Sequence, residues 1–438
     1  MIFVPDELKT FAATFPVPLF LVGGYVRDAL CGKISDDIDV CSSLPVSDVV
    51  EHLKNTPFTV SLIKKDTGTV SVKSGKTLWQ YTSFRTDLYD RGHSPVSTRP
   101  ASMHEDALRR DFKANAVYYD INKEAIVDPL DGVKDIENRI LSTTRTPKEV
   151  FSEDGLRLMR LARLSSETGF TVDDGTLTGA RENAEKIVEI SPERIRTELE
   201  RILLSPVPSV GLELLYKEGV LSLILPEIAD GYGLPQRKDF HKYDVFYHTL
   251  STVDAADISV RTAALFHDVG KPERYKQTGS YHGHDVSGAE LCEQIMTRLR
   301  YPKSAIQETK RLVLYHMLDL KGDMRENKVR RFVQKNADLI KKLCLLKDAD
   351  MIGCGYVKEG RSPASVRLTN TLEDLKKEGV PFSVKQLLVH GDDLPEEIVP
   401  KNRRQDALLS LLSACADVGS PLTTKEKQLQ YILNNYKG

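Results

Sequence analysis

The hydrophobic pattern of the chain changes its period near Phe151, and this change is the strongest constraint on its fold. The N-terminal part carries short β-type apolar runs separated by Gly, Ser and Lys turns, at 19–22, 37–40, 58–63, 69–72 and 78–84. Beyond Phe151, apolar residues recur every three or four positions, as at Leu156, Met159 and Ala162. We therefore predict an α+β chain, with a small mixed sheet in an N-terminal head followed by an all-helical remainder.

Length and charge limit the class of protein. The 438 residues correspond to roughly three domains of about 150 residues. The 61 basic and 63 acidic residues give a net charge of −2, which excludes a uniformly basic nucleic-acid binder. The six cysteines form no CxxC pair, the first residues lack a secretory pattern, and no apolar run approaches the ~20 residues of a membrane span. We expect a cytoplasmic protein without membrane contact.

The first motif combines a glycine turn with two aspartates. Gly23 and Gly24 follow an apolar run and precede Arg27, an arrangement that suits a triphosphate. Thirteen residues after Gly24, Asp37 and Asp39 are spaced so that a strand projects both from one face. Paired carboxylates suit Mg²⁺ shared with phosphates. A glycine turn or a DxD alone is commonly structural, but their order and distance predict a nucleotide site.

Four segments carry a family resemblance. The stretches GGYVRDALCG, DDIDVCSS, SFR at 83–85 and EDALRRDFKANA at 105–116 resemble the class II tRNA nucleotidyltransferase and bacterial poly(A) polymerase family. The resemblance implies template-independent nucleotidyl transfer, with Asp37 and Asp39 as catalytic ligands of Mg²⁺. It also implies nucleotide-binding roles for Gly23, Gly24, Arg27, Asp28, Arg110, Asp111 and Asn115.

One position departs from the family pattern. The strand before SFR commonly carries a third carboxylate in the family, whereas this chain has Gln80 there. Glutamine keeps the shape but not the charge. We therefore expect weaker assistance to deprotonation of the attacking hydroxyl.

A second motif, Glu153-Asp154-Gly155-Leu156-Arg157, is similar to the family's nucleotide-selecting segment. We expect Asp154 and Arg157, three apart, to share one helix face. A carboxylate accepts and a guanidinium donates hydrogen bonds, so the pair is complementary to C and A but not to U and G. A surface ion pair is the structural alternative. Arg160 is expected to contact base or phosphate.

A third motif is rich in histidine, because six of the ten histidines lie between His241 and His316. The pattern is similar to the HD superfamily. It implies a second divalent ion (Mn, Ni, Fe or Mg) on metal ligands His248, His267, Asp268 and Asp350. His284 and His316 are expected to bind a phosphate of the HD substrate or to complete the metal shell.

We predict four regions: a nucleotidyltransferase head (1–143), a helical neck with the selecting motif (144–235), an HD domain (236–357) and a helical tail (358–438). The favoured function is CCA addition to tRNA 3′ ends from CTP and ATP, with no protein partner implied. Basic residues at 298–303 and 321–342 are candidates for RNA contact or solvated helix faces.

Several alternatives remain open. They are a poly(A) polymerase, an A-adding or CC-adding partial enzyme, mainly an HD metal-dependent phosphohydrolase, and a noncatalytic RNA-binding protein. The stretch 85–104 is long enough for a flexible loop that the family's CC-adding members lack, which ranks CC addition lowest.

Overall fold

A computed structural model describes residues 2–54, 56–64, 68–88 and 97–436. The chain divides into two compact units, Met1–Pro226 and Glu227–Gly438. The finer four-part division stays a prediction. Part of the predicted flexible loop, residues 89–96, lies outside the described residues.

All strands found among the described residues lie in the first unit. They are β1 (Phe20–Val22), β2 (Ile38–Ser42), β3 (Thr59–Lys64), β4 (Thr69–Ser74), β5 (Thr77–Ser83), β6 (Arg85–Leu88), β7 (Ser97–Pro100), β8 (Tyr118–Asp120), β9 (Ala125–Val127), β10 (Ile140–Leu141) and β11 (Thr171–Val172). Seven of them form one sheet in the order β3-β4-β5-β2-β1-β8-β9, in which only β2 and β5 run parallel. The five predicted strands are all present, which confirms the mixed sheet of the head.

Helices occur in both units and make up most of the secondary structure. The first unit has α1 (Asp6–Thr14), α2 (Gly24–Leu30), α3 (Val46–Leu53), α4 (Met103–Leu108), α5 (Gly132–Asn138), α6 (Pro147–Glu153), α7 (Leu156–Thr168), α8 (Asp174–Glu182), α9 (Pro192–Leu204), α10 (Pro208–Glu218) and α11 (Val220–Ile224). From Pro226 onward come α12 (Pro226–Ala229), α13 (Val245–Ala255), α14 (Arg261–Phe266), α15 (Lys271–Thr278), α16 (His284–Arg298), α17 (Lys303–Tyr315), α18 (Glu326–Lys335), α19 (Ile340–Gly353), α20 (Pro363–Lys377), α21 (Arg404–Cys415) and α22 (Lys425–Asn435). The α+β prediction is therefore confirmed.

The core of the head determines which face of the sheet is free for chemistry. Trp79 and Tyr81 are fully buried, and Phe11 of α1 contacts Trp79 with ring centroids 5.4 Å apart. Side chains alternate along a strand, so Gln80 projects from the opposite face of β5. That face also carries Asp39, which is the register partner of Gln80 on β2.

The turn at 128–132 is structural. The carboxylate of Asp128 accepts hydrogen bonds from the backbone N–H groups of Gly132 and Val133, both at 2.8 Å. A Cβ on Gly132 would lie 2.2 Å from the carbonyl oxygen of Lys113, so only glycine fits here. The turn thereby supports the short helix Lys113–Asn115, which presents Asn115.

None of the helices in the described ranges is long and apolar enough to cross a bilayer.

A buried carboxyl group in the first unit makes stability depend on pH. Glu218, at the end of α10, is 1% exposed, and neither carboxyl oxygen has a hydrogen-bond partner among the described residues. Burial raises the pKa of Glu218 well above its usual value, although Arg181 opposes the shift. The folded state thus retains a proton that the unfolded state releases above about pH 4.3, and stability falls as the pH rises from there.

We expect Glu218→Gln to stabilise the first unit by about 1–3 kcal/mol at pH 8 and to change stability little at pH 4, because glutamine removes the ionisation cost. Urea unfolding at the two pH values measures this difference. Glu213→Gln is the matched control, since Glu213 lies on the same helix and pairs with Lys217 at 3.0 Å. An equal pH response of the two variants contradicts the prediction.

Candidate functional site

The glycine turn and the two aspartates meet at the end of β1. Asp39 is the register partner of both Val22 on β1 and Gln80 on β5. Gly23, directly after Val22, has φ +80°, and a Cβ placed on it would lie 3.6 Å from Oδ2 of Asp39. The strand, glycine turn and DxD of the sequence prediction therefore form one local arrangement.

The electrostatics of this arrangement favour a cation. Burial, followed by repulsion from Asp37, raises the pKa of Asp39 to about 6, although Arg110 opposes the shift. The negative charge on Asp39 is thus unfavourable without a positive partner. The oxygen-only donor set of Asp37 and Asp39 fits a hard divalent cation.

A buried chain of charged and polar side chains starts beside these carboxylates. Arg27 donates to Oδ1 of Asp28 at 2.7 and 2.9 Å and to Oδ1 of Asn115 at 2.7 Å. Asn115 in turn donates to Asp111 at 3.1 Å, and Asp111 accepts from Nε of Arg160 at 2.7 Å. Burial alone would raise the pKa of Asp111, but Arg160 and Asn115 outweigh it and hold that pKa well below its usual value. Hydrogen bonds therefore fix five of the ten predicted nucleotide-binding residues relative to one another.

Asp106 holds a second set of basic residues. It is fully buried and accepts hydrogen bonds from Arg109, Arg110 and the hydroxyl of Tyr118, the last at 2.7 Å. We did not predict this role for Asp106. Its spacing of three and four residues from Arg109 and Arg110 is the sequence signal that indicates it.

A cavity of about 420 Å³ opens between these elements. It is lined by Gly24, Tyr25, Arg27, Asp28, Ser35, Asp37, Asp39, Asn115, Arg160, Arg163, Leu164, Glu167 and Arg201. The sequence prediction missed Arg163, Glu167 and Arg201. Arg160, Arg163 and Glu167 recur on one face of α7, so the helical period that placed Arg160 also indicated the other two.

The predicted geometry of Asp154 and Arg157 is wrong. Asp154 lies before α7 in extended conformation, and its Oδ2 pairs with Arg194 at 3.3 Å. The Arg157 guanidinium is buried, where it donates to the carbonyl oxygens of Val150 and Arg109, each at 2.9 Å. The two side chains do not share a helix face, because Gly155 separates α6 from α7.

The third carboxylate of the family pattern can be restored in this geometry. We expect Gln80→Glu to lower the Mg²⁺ concentration for half-maximal nucleotide addition roughly five- to tenfold, because it adds a negative charge beside Asp39 worth about 1–1.4 kcal/mol. A magnesium titration of initial rates measures the shift. Gln80→Met, which changes the polarity without adding charge, is the control. An unchanged half-saturation contradicts a cation site beside residue 80.

The second unit brings six predicted residues into one buried cluster. His248 lies on α13, His267 and Asp268 follow α14, and Asp350 lies on α19. His284 begins α16, and His316 follows the end of α17. Close helix packing is required here, because a Cβ on Gly270 would lie 2.3 Å from the carbonyl oxygen of His284.

The cluster consists of two triads that Asp268 connects. Oδ2 of Asp268 lies 3.4 Å from Nε2 of His248 and 3.2 Å from Nε2 of His267, and the Asp350 carboxylate completes this side. Oδ1 of Asp268 lies 3.2 and 3.6 Å from Nε2 of His284 and His316. His284 and His316 therefore stand where metal ligands would stand, which favours the shell-completing role over a phosphate contact.

The orientation of the imidazole rings fits metal ions. Nδ1 of His267, His284 and His316 each faces a backbone carbonyl oxygen at 2.6–2.8 Å, which fixes the ring proton there when the ring is neutral. The Nε2 lone pairs then face each other, at 3.2 Å between His284 and His316. Ligands bound at about 2.1 Å in an octahedral shell are about 3.0 Å apart, so the spacing suits a divalent cation in each triad.

Lys271 adds a positive charge to this cluster. Its ammonium group lies 2.5 Å from Oδ2 of Asp268 and donates to Gln236 at 2.7 Å. Burial alone would raise the pKa of Asp268, but His267 and Lys271 outweigh it and keep that carboxylate ionised.

Three family descriptions match the chain. Residues 19–142 match "Poly A polymerase head domain", residues 169–231 match "Probable RNA and SrmB- binding site of polymerase A", and residues 226–352 match "HD domain". Both the head and the HD families depend on divalent metal ions.

Curated relatives and solved structures agree with these matches. The chain is 32% identical over 371 residues to an A-adding tRNA nucleotidyltransferase of Deinococcus radiodurans, covering 81% of this chain and 79% of that protein. It is 31% identical over 378 residues to a CC-adding tRNA nucleotidyltransferase of Thermus thermophilus, covering 82% of each. Its fold resembles that of the Bacillus stearothermophilus CCA-adding enzyme in complex with CTP, with a TM-score of 0.69 and 22% identity, over 98% of this chain and 96% of that one.

Proposed function

The chain belongs to the tRNA nucleotidyltransferases built on a poly(A) polymerase head, and we propose from this that it completes the CCA end of tRNA from CTP and ATP without a template. The observation that carries the proposal is the placement of Asp37 and Asp39 in a cavity with Arg27 and Arg160. Carboxylates for a cation thus lie beside guanidinium groups for a triphosphate.

Different residues of the cavity would bind the triphosphate, the ribose and the metal ion during nucleotidyl transfer. Arg27, held by Asp28 and Asn115, would bind the triphosphate, and the hydrogen-bonded pair of Arg160 and Asp111 would contact the ribose and phosphates. Asp37 and Asp39 would hold Mg²⁺, which supplies charge neutralisation at the α-phosphate and activation of the RNA 3′-hydroxyl. Because hydrogen bonds fix Arg27, Asp28, Asn115, Asp111 and Arg160 relative to one another, the contribution of these five side chains is positioning and electrostatic stabilisation.

Selection of C and A is assigned to Asp154 with a revised partner. Asp154 supplies the acceptor, and the donor beside it is Arg194 at 3.3 Å. The hydrogen-bond argument against U and G is unchanged, because the pair still offers one acceptor and one set of donors. Arg157 becomes a positioning residue that ties α7 to the head through the carbonyl oxygen of Arg109.

Incubation with tRNAs that end before the first C, after CC, or with the complete CCA tests this function, using one labelled nucleotide at a time. We expect addition of C, C and then A, no addition to complete tRNA, and no use of UTP or GTP. Addition of nothing contradicts the transferase, and continued addition of A indicates a poly(A) polymerase instead.

Addition of only A or only CC is the specific alternative to complete CCA addition, because the two relatives named above are A-adding and CC-adding enzymes. The same panel separates the possibilities. An A-adding enzyme extends only tRNA ending in CC, whereas a CC-adding enzyme stops at CC even when ATP is present.

We propose metal-dependent phosphoester hydrolysis as a second activity, carried by the HD cluster. Two triads joined by Asp268 fit a pair of Mn, Ni, Fe or Mg ions, which would supply an activated water. Lys271, 2.5 Å from Asp268, is positioned to attract a phosphate. Hydrolysis of a 2′,3′-cyclic nucleotide that requires divalent metal is the test, and no hydrolysis with any of the four metals contradicts it.

Cytoplasmic tRNA is the proposed partner. All six cysteines are free, as expected in a reducing compartment. The basic residues proposed for RNA contact are partly engaged within the protein, since Arg331 pairs with Asp417 and Arg298 with Glu227. Lys328 and Arg325 line an exposed hollow and are better candidates for a phosphate backbone.

A further inference from the structure

A third group of metal-binding side chains adjoins the HD cluster. One ligand atom each from His241, His248 and Cys354 lies within 4.8 Å of the others. His241 and Cys354 belong to neither triad. We propose that these three residues form an additional site, which shares only His248 with the HD cluster, for a thiolate-binding divalent cation, for which Zn²⁺ has the fitting chemistry. The proposal does not depend on the transferase function.

The spacing of the donors fits zinc. Nδ1 of His241 lies 3.5 Å from Sγ of Cys354. A tetrahedral zinc ion with a Zn–S bond of about 2.3 Å and a Zn–N bond of about 2.05 Å places sulfur and nitrogen about 3.6 Å apart. The pair is therefore already at the separation that a shared zinc ion requires. Two histidines and a cysteine leave the fourth position for water or a ligand, as in open zinc sites.

His248 supplies an independent observation. Its ring is fully buried, and its Nε2 faces Asp350 and His267, both at 3.1 Å. Its Nδ1 finds no hydrogen-bond partner among the described residues. A buried ring nitrogen without a hydrogen-bond partner costs about 1–3 kcal/mol. A cation bound at Nδ1 removes this cost and explains why a buried ring keeps one nitrogen unpaired.

The scaffold holds the three donors together. The backbone N–H of Lys242 donates to the carbonyl oxygen of Cys354 at 2.9 Å, which fixes the segment of His241 to the end of α19. The rings of His241 and His248 are perpendicular, with centroids 4.7 Å apart. His241 and Cys354 are half-buried, so a cation has access from solvent.

The proton balance makes the two sites interdependent. Cys354 releases its thiol proton when it binds the cation, because the thiolate is the ligand. His248 binds the HD metal through Nε2, and it releases its Nδ1 proton when both sites are filled, so that its ring bridges two cations. Occupation of the new site therefore exchanges two protons for one divalent cation, so the net charge next to the HD centre is unchanged while His248 becomes a ligand shared by both sites.

Cobalt titration of the full-length, reduced and metal-free protein tests the site, because a cobalt–thiolate bond gives a charge-transfer absorption in the near ultraviolet. We expect this absorption in the wild type and its loss in Cys354→Ser. Cys344→Ser is the matched control, since Cys344 lies on α19, the helix that Cys354 directly follows, and contacts the carbonyl oxygen of Ser365. One equivalent of Zn²⁺ is expected to displace the signal.

Two further variants and an alkylation assay test the site independently of Cys354→Ser. His241→Gln changes a half-buried residue and is expected to weaken cobalt binding at this site at least tenfold. In the wild type, Zn²⁺ should slow alkylation of Cys354 at least tenfold. His316→Gln, which alters only the other side of Asp268, should retain the absorption.

The absence of a thiolate absorption at saturating cobalt, or its survival in Cys354→Ser, overturns the proposal. So does an alkylation rate that Zn²⁺ does not change. Loss of the absorption in a folded His316→Gln protein would make Cys354 part of the HD centre and would equally overturn a separate site. None of these results bears on nucleotide addition.

Discussion

Asp39→Asn is expected to reduce nucleotide addition to tRNA at least about 1000-fold, because it removes the more buried of the two carboxylates that would hold Mg²⁺. A loss of this size corresponds to about 4 kcal/mol of transition-state stabilisation. The substitution keeps the shape of the side chain, and it removes a group whose charge is already unfavourable, since the pKa of Asp39 is raised to about 6. We therefore expect the folded protein to be no less stable than the wild type.

Single-turnover addition of labelled CMP and AMP at saturating Mg²⁺ measures this effect, with thermal unfolding as the check on folding. Asp36→Asn is the matched control. Asp36 is exposed in the same loop and does not line the cavity, so its rate should stay within about threefold of the wild type. Wild-type rates in a folded Asp39→Asn protein would remove Asp39 from the reaction.

The head could be predicted well from sequence because its signals are local. β-type runs separated by turns gave five strands, and the glycine turn followed by Asp37 and Asp39 gave one edge of the cavity. The strand Tyr118–Asp120 was missed, although it lies between β1 and β9 in the seven-stranded sheet. Its three residues are too few to show a period, and their pairing partner lies about a hundred residues earlier.

The segment with Asp154 and Arg157 shows where a structural prediction from residue spacing fails. A separation of three residues places two side chains on one face only if the helix is continuous. Here Gly155 lies between α6 and α7, and a Cβ on it would lie 2.3 Å from the carbonyl oxygen of Lys186. The break between α6 and α7 thus lies where Gly155 contacts Lys186, about thirty positions away. A contact between such distant residues leaves no periodic signal in the sequence.

The HD residues were predictable as a set but not in their arrangement. The resemblance to the HD superfamily pattern, supported by the clustering of histidines, identified His248, His267, Asp268, Asp350, His284 and His316. The sequence could not show that Asp268 directs its two oxygens to opposite triads, because this depends on how α13, α16, α17 and α19 meet around it. The number of metal ions that the HD cluster can hold therefore depends on its tertiary packing, which the sequence does not show.

Asp268→Asn is expected to remove both HD metal ions and to reduce metal-dependent hydrolysis of a 2′,3′-cyclic nucleotide at least about 1000-fold. The reason is that Asp268 contributes a charged oxygen to each triad, at 3.2 Å from His267 and 3.2 Å from His284. Asparagine keeps one oxygen but loses the charge that balances two cations. Nucleotide addition should remain within about twofold, because the transferase residues lie in the first unit.

Equilibrium dialysis with Mn²⁺ or Ni²⁺, followed by metal analysis, measures the stoichiometry alongside the hydrolysis assay. Asp285→Asn is the matched control, since Asp285 is adjacent to His284 in sequence but belongs to neither triad. A single-ion site predicts a different result, in which His316→Gln leaves the metal content unchanged. We expect His316→Gln to remove one ion and Asp268→Asn to remove two. Only a carboxylate shared between the triads gives this difference between the two variants.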